Sequence, residues 1–395
     1  MAAKRYLFAL CAPVFFSLSL TGAVAAPLPV IDPSTLWTEI QKTGVESVYT
    51  GAYGDGERLL KDAVKLSAKF GPADLRHAQS CGELGRLLTI RGRFAEAEPL
   101  LEEELRVKEA AMDRPSGAVI PSMATLINFY LEHGTASKAE PLTDRMLSFI
   151  NGKLDEHRAA ANGPVKLKPG QPLTGWAGSA SLSMRDPAIE WAIACDTVST
   201  EFLSRENYDY AEKVCQASLD VKETVLGKQH LSLANSYDSL GTICEARNQD
   251  GEAESFYRYA YENTQRILQP EDPQVFRRLD KLAKCLLREK KFEEAEALYV
   301  HAQELWKDAP SKTGSELRAA YSLGRCYTTE EKYEQAAPVL QKALELAQTY
   351  YGPESLQLVT YIQAYADAMH FLGRDAEMAD LKGQMLAIKG GSSTQ

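Results

Sequence analysis

Residues able to do covalent or metal chemistry are thinly spread along this 395-residue chain. The six histidines are scattered, and none has a second histidine three or four residues on, the helical spacing that turns two imidazoles toward one metal. No phosphate-cradling glycine-rich loop, zinc-protease His-Glu pattern, nucleophile elbow or calcium loop occurs. Gly178-Ser179-Ala180-Ser181 carries hydroxyls, but without the strand-turn-helix context that would expose one of them. Acidic runs such as Glu102-Glu103-Glu104 fall on helical faces, where water solvates them. Sulfur is the remaining chemistry. Beyond Cys11 in the N-terminal apolar run stand Cys81, Cys195, Cys215, Cys244, Cys285 and Cys326, with no metal-knuckle spacing; their even number permits disulfides if the chain is exported. Neither catalysis nor a metal or other cofactor is expected.

The elements that hold these residues show themselves by repetition. Gly92-Arg93-Phe94-Ala95-Glu96-Ala97-Glu98 returns in degraded form near Ala139, Ala211, Ala253, Ala295, Ala336 and Met378, and a copy from Gly51 to Glu57 precedes it by 41 residues. Successive anchors from Ala97 are 42, 72, 42, 42, 41 and 42 residues apart, so one interval carries 30 extra. Eight copies at this period predict a stacked array with a long groove, whose default business is binding. The expected layout is repeats 1–3 over residues 33–154, an insert over 155–185, repeats 4–8 over 186–389 and a disordered tail over 390–395. The insert holds Pro164, Pro169, Gly170, Pro172 and Gly175 and keeps no helical period, so it reads as a long loop with Trp176 as its aromatic anchor.

Ahead of the array, Lys4 and Arg5 precede an apolar run from Tyr6 to Leu20, and Ala23-Val24-Ala25 follows as a small-residue cleavage site. This is the layout of a secretory signal peptide over residues 1–25, and cleavage after Ala26 would place Pro27 directly beyond the scissile bond. The run has 15 residues, whereas a membrane span needs about 20. Removing Lys4 and Arg5 takes the formal charge from −10 to −12, which repels nucleic acid and anionic lipid. No later apolar stretch is long enough to span a bilayer. A periplasmic or extracellular protein, 45% apolar and 25% charged, is therefore expected, with no nucleic-acid partner.

With the recurrent Ala set as position 20 of each unit, position 8 is Gly44, Gly85, Ile127, Ser199, Gly241, Ala283, Gly324 and Ala366, small in seven of eight. Positions 4, 7, 8 and 11 form one stripe of a 3.6-residue helix, and positions 20, 24 and 27 form the facing stripe of the next. Each unit thus reads as two antiparallel helices that approach closely at their small residues. Cys195 at position 4 and Cys215 at position 24 fall opposite each other in such a hairpin, within the roughly 4.4 to 6.8 Å Cα separation of a disulfide. They are the candidate bridge, and the other four cysteines are expected as thiols.

The pattern resembles the tetratricopeptide repeat in its small positions 8 and 20 and in an aromatic position 17, here Phe94, Tyr208, Phe292 and Tyr333. The 42-residue unit resembles the kinesin light chain form, on Glu223-Thr224-Val225-Leu226-Gly227-Lys228-Gln229-His230 followed by Ala234 and Leu240-Gly241. The likeness covers about residues 35 to 389. It implies an all-α, right-handed superhelical solenoid of about eight antiparallel helical hairpins. Asp250 and Asp375 depart from the aromatic position 17 and are expected to loosen their turns. The resemblance also implies that first-helix positions 2, 5, 6, 9, 12 and 13 line the groove. In units six and seven these hold Arg277, Lys281, Lys284, Arg288, Arg318 and Arg325, with Tyr321 among them and Asp280 as the one acid. Several cations on one wall would attract a carboxylate-rich segment. The family's clamp for a terminal carboxylate is not reproduced, because Asp280 stands where that clamp wants a cation.

The expectation is therefore an exported, non-catalytic protein-interaction scaffold that binds a protein or peptide segment, acidic by charge complementarity, in its groove. Two other readings remain open to the sequence: an envelope assembly factor acting by self-association, and an enzyme or glycan-binding protein using the insert.

Overall fold

The computed structural model describes residues 32–111, 117–133, 136–162, 187–270, 272–306 and 314–391. The leader expected over 1–25 lies outside them, as does the insert from 163 onward. Sixteen α-helices and no strand occur among the described residues. In order they are α1 Pro33–Tyr49, α2 Tyr53–Ser67, α3 Leu75–Ile90, α4 Phe94–Ala110, α5 Ile120–Glu132, α6 Ala136–Asn162, α7 Pro187–Ser204, α8 Tyr208–Leu226, α9 Leu231–Ala246 and α10 Asp250–Ile267. The last three pairs are α11 Pro273–Arg288 with α12 Phe292–Trp306, α13 Ser315–Thr329 with α14 Tyr333–Tyr351, and α15 Leu358–Phe371 with α16 Asp375–Gly391. They form the eight expected hairpins, in two compact units, Met1–Lys153 and Leu154–Gln395.

Helix α11 shows how one element is specified. Asp272 caps it, its carboxylate accepting the Gln274 amide at 2.8 Å, and Pro273 starts the first turn with the fixed φ a helix needs. Val275, Phe276, Leu279, Leu282, Ala283 and Leu286 are buried on one face. Each large one contributes about 1.5–3 kcal/mol of hydrophobic stabilisation. The helix stops where Lys290 turns left-handed at φ 61° and the Lys291 amide reaches back to the Leu286 carbonyl at 2.9 Å. The residue at position 15 takes this conformation in seven hairpins: Gly51, Gly92, Glu206, Asn248, Lys290, Glu331 and Gly373.

Small position 8 makes room for large position 24. A Cβ built on Gly241 would stand 2.7 Å from the Tyr257 ring, and one on Gly324 2.6 Å from Leu340. Position 17 aromatics stack on the next hairpin, Phe94 over His133 at 3.7 Å and Tyr333 over Phe371 at 4.5 Å. Asp250 does not loosen its turn as expected. Its carboxylate accepts Arg288 Nε at 2.9 Å, its carbonyl accepts the Cys285 thiol at 3.4 Å, and Asn248 keeps the same left-handed turn at φ 61°. The turn before Asp375 likewise keeps a left-handed Gly373, at φ 69°.

A recurrent ion pair staples neighbouring hairpins. Glutamate at position 21 of one unit meets a cation near the turn of the next: Glu57 with Arg91 and Arg93, Glu98 with Lys138, Glu212 with Arg247, Glu254 with Lys291 and Glu296 with Lys332. At the last junction Ala337 holds position 21, and Arg374 turns instead to Glu377 in its own hairpin.

Helix α6 runs to Asn162, eight residues past the expected end of the third repeat at 154. Residues 155–162, Asp-Glu-His-Arg-Ala-Ala-Ala-Asn, are dominated by good helix formers, and Gly163-Pro164 follows as a stop. The last helix likewise passes the expected end at 389 and includes Gly391.

Candidate functional site

The expected basic wall lies in the second unit, on α11 and α13, and the structure divides it into two sets. Lys281, Lys284 and Arg288 are engaged. The Lys281 ammonium lies 3.6 Å from Asp238 Oδ2 and 5.6 Å from the centre of the Tyr257 ring. Lys284 Nζ donates to Asp280 Oδ2 at 2.7 Å. Arg288 donates through Nη1 to Glu245 at 2.6 Å and through Nε to Asp250 at 2.9 Å. Arg277, Arg318 and Arg325, by contrast, are exposed and form no ion pair among the described residues.

Four of the expected residues, Lys284, Arg318, Tyr321 and Arg325, line one cleft of about 430 Å³ between α11 and α13, together with Asp280, Phe276, Leu287, Tyr299, Ser322 and Thr329. Arg277, Lys281 and Arg288 are not among its lining residues. Helix α13 buries Ala319, Ala320, Leu323 and Cys326, which leaves Arg318 and Arg325 on its open side, two turns or about 10 Å apart along the axis. Phe276 and Leu287 add apolar surface to the α11 side. Tyr321 meets the edge of Tyr361 with ring centres 4.9 Å apart.

Asp280 looked from the sequence like an intruder among cations, and the structure makes it a hub. Its Oδ1 accepts the Tyr299 hydroxyl at 3.0 Å and the Ser322 hydroxyl at 3.2 Å, while Oδ2 accepts Lys284. Burial pushes the Tyr299 phenol well above its ordinary range, with the Asp280 charge beside it acting the same way, so the phenol stays a donor.

Sequence reasoning missed the buried residues beneath this wall. Arg278, only 3% exposed, donates through Nη2 to Asn235 Oδ1 at 2.6 Å and stands 3.6 Å from Asp238. A signal was present: Asp196, Asp238 and Asp280 recur at position 5, 42 residues apart. Each finds a cation of different origin, since Asp196 pairs with Lys222 from the second helix of its own hairpin at 2.7 Å.

A second cleft, of about 600 Å³, lies in the first unit among α4, α5 and α6. Its basic side chains are all tied within the chain, Arg106 to Glu103, Lys138 to Glu98 and Glu102, and Arg145 to Glu109. That leaves it without an unpaired cation and makes the α11–α13 cleft the candidate site.

Cys195 and Cys215 are both buried and present as free thiols. The candidate bridge between them is not made in this structure, where Cys215 Sγ donates across to the next hairpin, to the Ser236 carbonyl at 3.5 Å. Burial pushes the Cys215 thiol up to about 12 and raises Cys195 as well. Among the described residues no group of three or more His, Cys, Asp or Glu side chains is placed to hold a metal ion, and no helix is long and apolar enough to cross a membrane.

Stacked helical hairpins with a cleft between first helices define a repeat scaffold. The tetratricopeptide repeat profile matches residues 77–114, 202–266, 274–348 and 315–381, and the chain belongs to that family. Such arrays are typically non-catalytic protein-interaction scaffolds, so proteins are the partners it is built to meet. No curated protein matches the chain in sequence. Among solved structures, BtubC (BKLC) from P. vanneervenii is similar at 15% identity over 64% of this chain and 93% of that one, with a TM-score of 0.47. A Podosopora anserina protein whose nearly identical TPR-like repeats are ascribed to a kinesin light chain matches at 15% identity over 60% of this chain and 98% of its own, with a TM-score of 0.42. A signal transduction ATPase with numerous domains from Pyrococcus horikoshii, which carries a tetratricopeptide repeat sensor, matches at 13% identity over 90% of this chain and 47% of its own, with a TM-score of 0.47.

Proposed function

We propose that this protein is an exported, non-catalytic scaffold that captures an acidic peptide or protein segment in the cleft between α11 and α13. The observation that carries the reading is the pair Arg318 and Arg325, exposed in that cleft without an ion-pair partner among the described residues, in a chain of formal charge −10. Exposed cations in a concave site of an acidic molecule focus positive potential there and select anionic ligands by rate as well as affinity. Export rests on the leader pattern over 1–25, with the mature chain in the periplasm or outside the cell.

The test is a pull-down from the extracytoplasmic fraction with wild type and with Arg318→Glu/Arg325→Glu, read by mass spectrometry. Wild type should recover one dominant acidic partner and the double variant should lose it, with helicity and melting unchanged, because exposed substitutions usually cost under about 0.5 kcal/mol. Equal recovery by both would reject the cleft. Sequencing the N-terminus of protein recovered outside the cytoplasm checks export, and a chain still beginning at Met1 would overturn cleavage after Ala25.

A further inference from the structure

The chemistry around Asp280 says which part of the cleft meets the acidic segment. Lys284 is the most exposed of the three engaged cations, with 62% of its side chain open, and it is held by Asp280 one helical turn away. Asp280 itself is not free to swing aside. Its Oδ1 is fixed by two hydroxyls, one on the buried Tyr299 of α12 and one on Ser322 of α13, so three elements converge on a single carboxylate. A ligand carboxylate that approached Lys284 would meet the fixed negative charge of Asp280 as well, and the attraction and repulsion would largely cancel. Arg318 and Arg325 have no such companion among the described residues. The α11 side also lines the cleft with the partly buried Leu287 and the buried Phe276, apolar groups suited to an uncharged stretch of chain.

We propose that Asp280 sets the selectivity of the cleft as the built-in counter-ion of Lys284, so that a bound segment offers carboxylates to Arg318 and Arg325 on α13 and an uncharged, apolar stretch to α11. The assignment rests on the acidic-segment reading above and adds its polarity. Asp280 is a positioning residue here, and what it positions is Lys284, away from the ligand.

Asp280→Asn isolates the charge, because the amide oxygen can still accept the Tyr299 and Ser322 hydroxyls while the hold on Lys284 is lost. Binding of a fluorescein-labelled hexaglutamate peptide, measured by anisotropy across a salt series, is the readout. The variant should bind about threefold to tenfold more tightly than wild type, with a steeper salt dependence and an unchanged melting curve. Unchanged or weaker binding by a normally folded Asp280→Asn would overturn the proposal. Should that variant fold poorly, Lys284→Gln decides: it keeps Asp280 and its hydroxyl partners but bares the carboxylate, so binding should weaken about threefold to tenfold, while Asp280→Asn/Lys284→Gln, neutral at both positions, should stay within about twofold of wild type. Unchanged affinity in Lys284→Gln would overturn the counter-ion role. Wild type that fails to bind hexaglutamate at all overturns the acidic-segment reading itself, an outcome distinct from wild type that binds while Asp280→Asn brings no gain.

Discussion

Arg278 Nε stands 3.6 Å from Asp238 Oδ2, joining the first helices of two consecutive hairpins through a pair that is nearly closed to solvent. The contact is too long to be a good hydrogen bond, and both Arg278 Nε and Asp238 Oδ1 are buried without a hydrogen-bond partner. The titration shifts agree: burial raises the Asp238 carboxyl above its ordinary value and lowers the Arg278 guanidinium below its own, in each case outweighing the attraction between them. Such a pair adds little net stability, yet breaking it is costly because one buried charge is left behind. Asp238→Asn, which leaves the 3%-exposed Arg278 without its ion pair, should destabilise by about 3–5 kcal/mol, and the double variant Arg278→Met/Asp238→Asn by much less. A double-mutant cycle in urea measures this, and simple additivity of the two single costs would show that the residues do not act as a pair.

Acid stability should report the staple at the first junction. Hydrogen bonding from Lys61, with Arg93 beside it, holds the Glu57 carboxyl down at about 2, against an ordinary 4.5. A depressed carboxylate contributes stability that is fully present above its unfolded value and is lost as pH falls through its folded one. The loss attributable to Glu57 therefore falls between pH 4.5 and about 2. Glu57→Gln should lower stability at neutral pH by about 1.5–3 kcal/mol and flatten the melting profile across that window. Parallel profiles for variant and wild type would remove the staple from the account.

Adding a glycine and removing one should have opposite effects at two positions. Lys290 sits at φ 61°, a left-handed turn that costs a side-chain-bearing residue, so Lys290→Gly should raise stability by about 0.5–1 kcal/mol. Gly241 has no room for a Cβ against Tyr257 at 2.7 Å, so Gly241→Val should cost about 3 kcal/mol or more. Thermal melting of both variants decides, and a stabilised Gly241→Val would mean that the hairpin does not close at this contact.

All six described cysteines are buried thiols. Burial holds the thiols protonated, with Cys81 pushed up to about 12 and Cys244 and Cys285 to about 11. Native protein at pH 8 should therefore react slowly with a thiol reagent, while denatured, unreduced protein lacking residues 1–25 should show six thiols. A count of four would restore a single bridge, with Cys195 and Cys215 the first pair to map.

Much of this architecture is written locally. The eight hairpins and the close approach of their helices at small positions follow from a 3.6-residue stripe and a near-constant interval of 42 residues. The leader pattern over 1–25 is likewise a matter of composition and order along the chain. The function of each charge is not local. From the sequence, Arg277, Lys281, Lys284, Arg288, Arg318 and Arg325 form one basic wall, and Asp280 merely interrupts it. Stacking carries Asp238 to Lys281, Glu245 to Arg288 and Ser322 to Asp280, across 42 or 43 residues, and thereby separates cations already neutralised from those still open to a ligand. Charges interact through distances of a few ångströms that no one-dimensional pattern specifies, so the tertiary structure alone decides that Arg318 and Arg325 face the cleft without an ion pair among the described residues while Lys284 is held by Asp280.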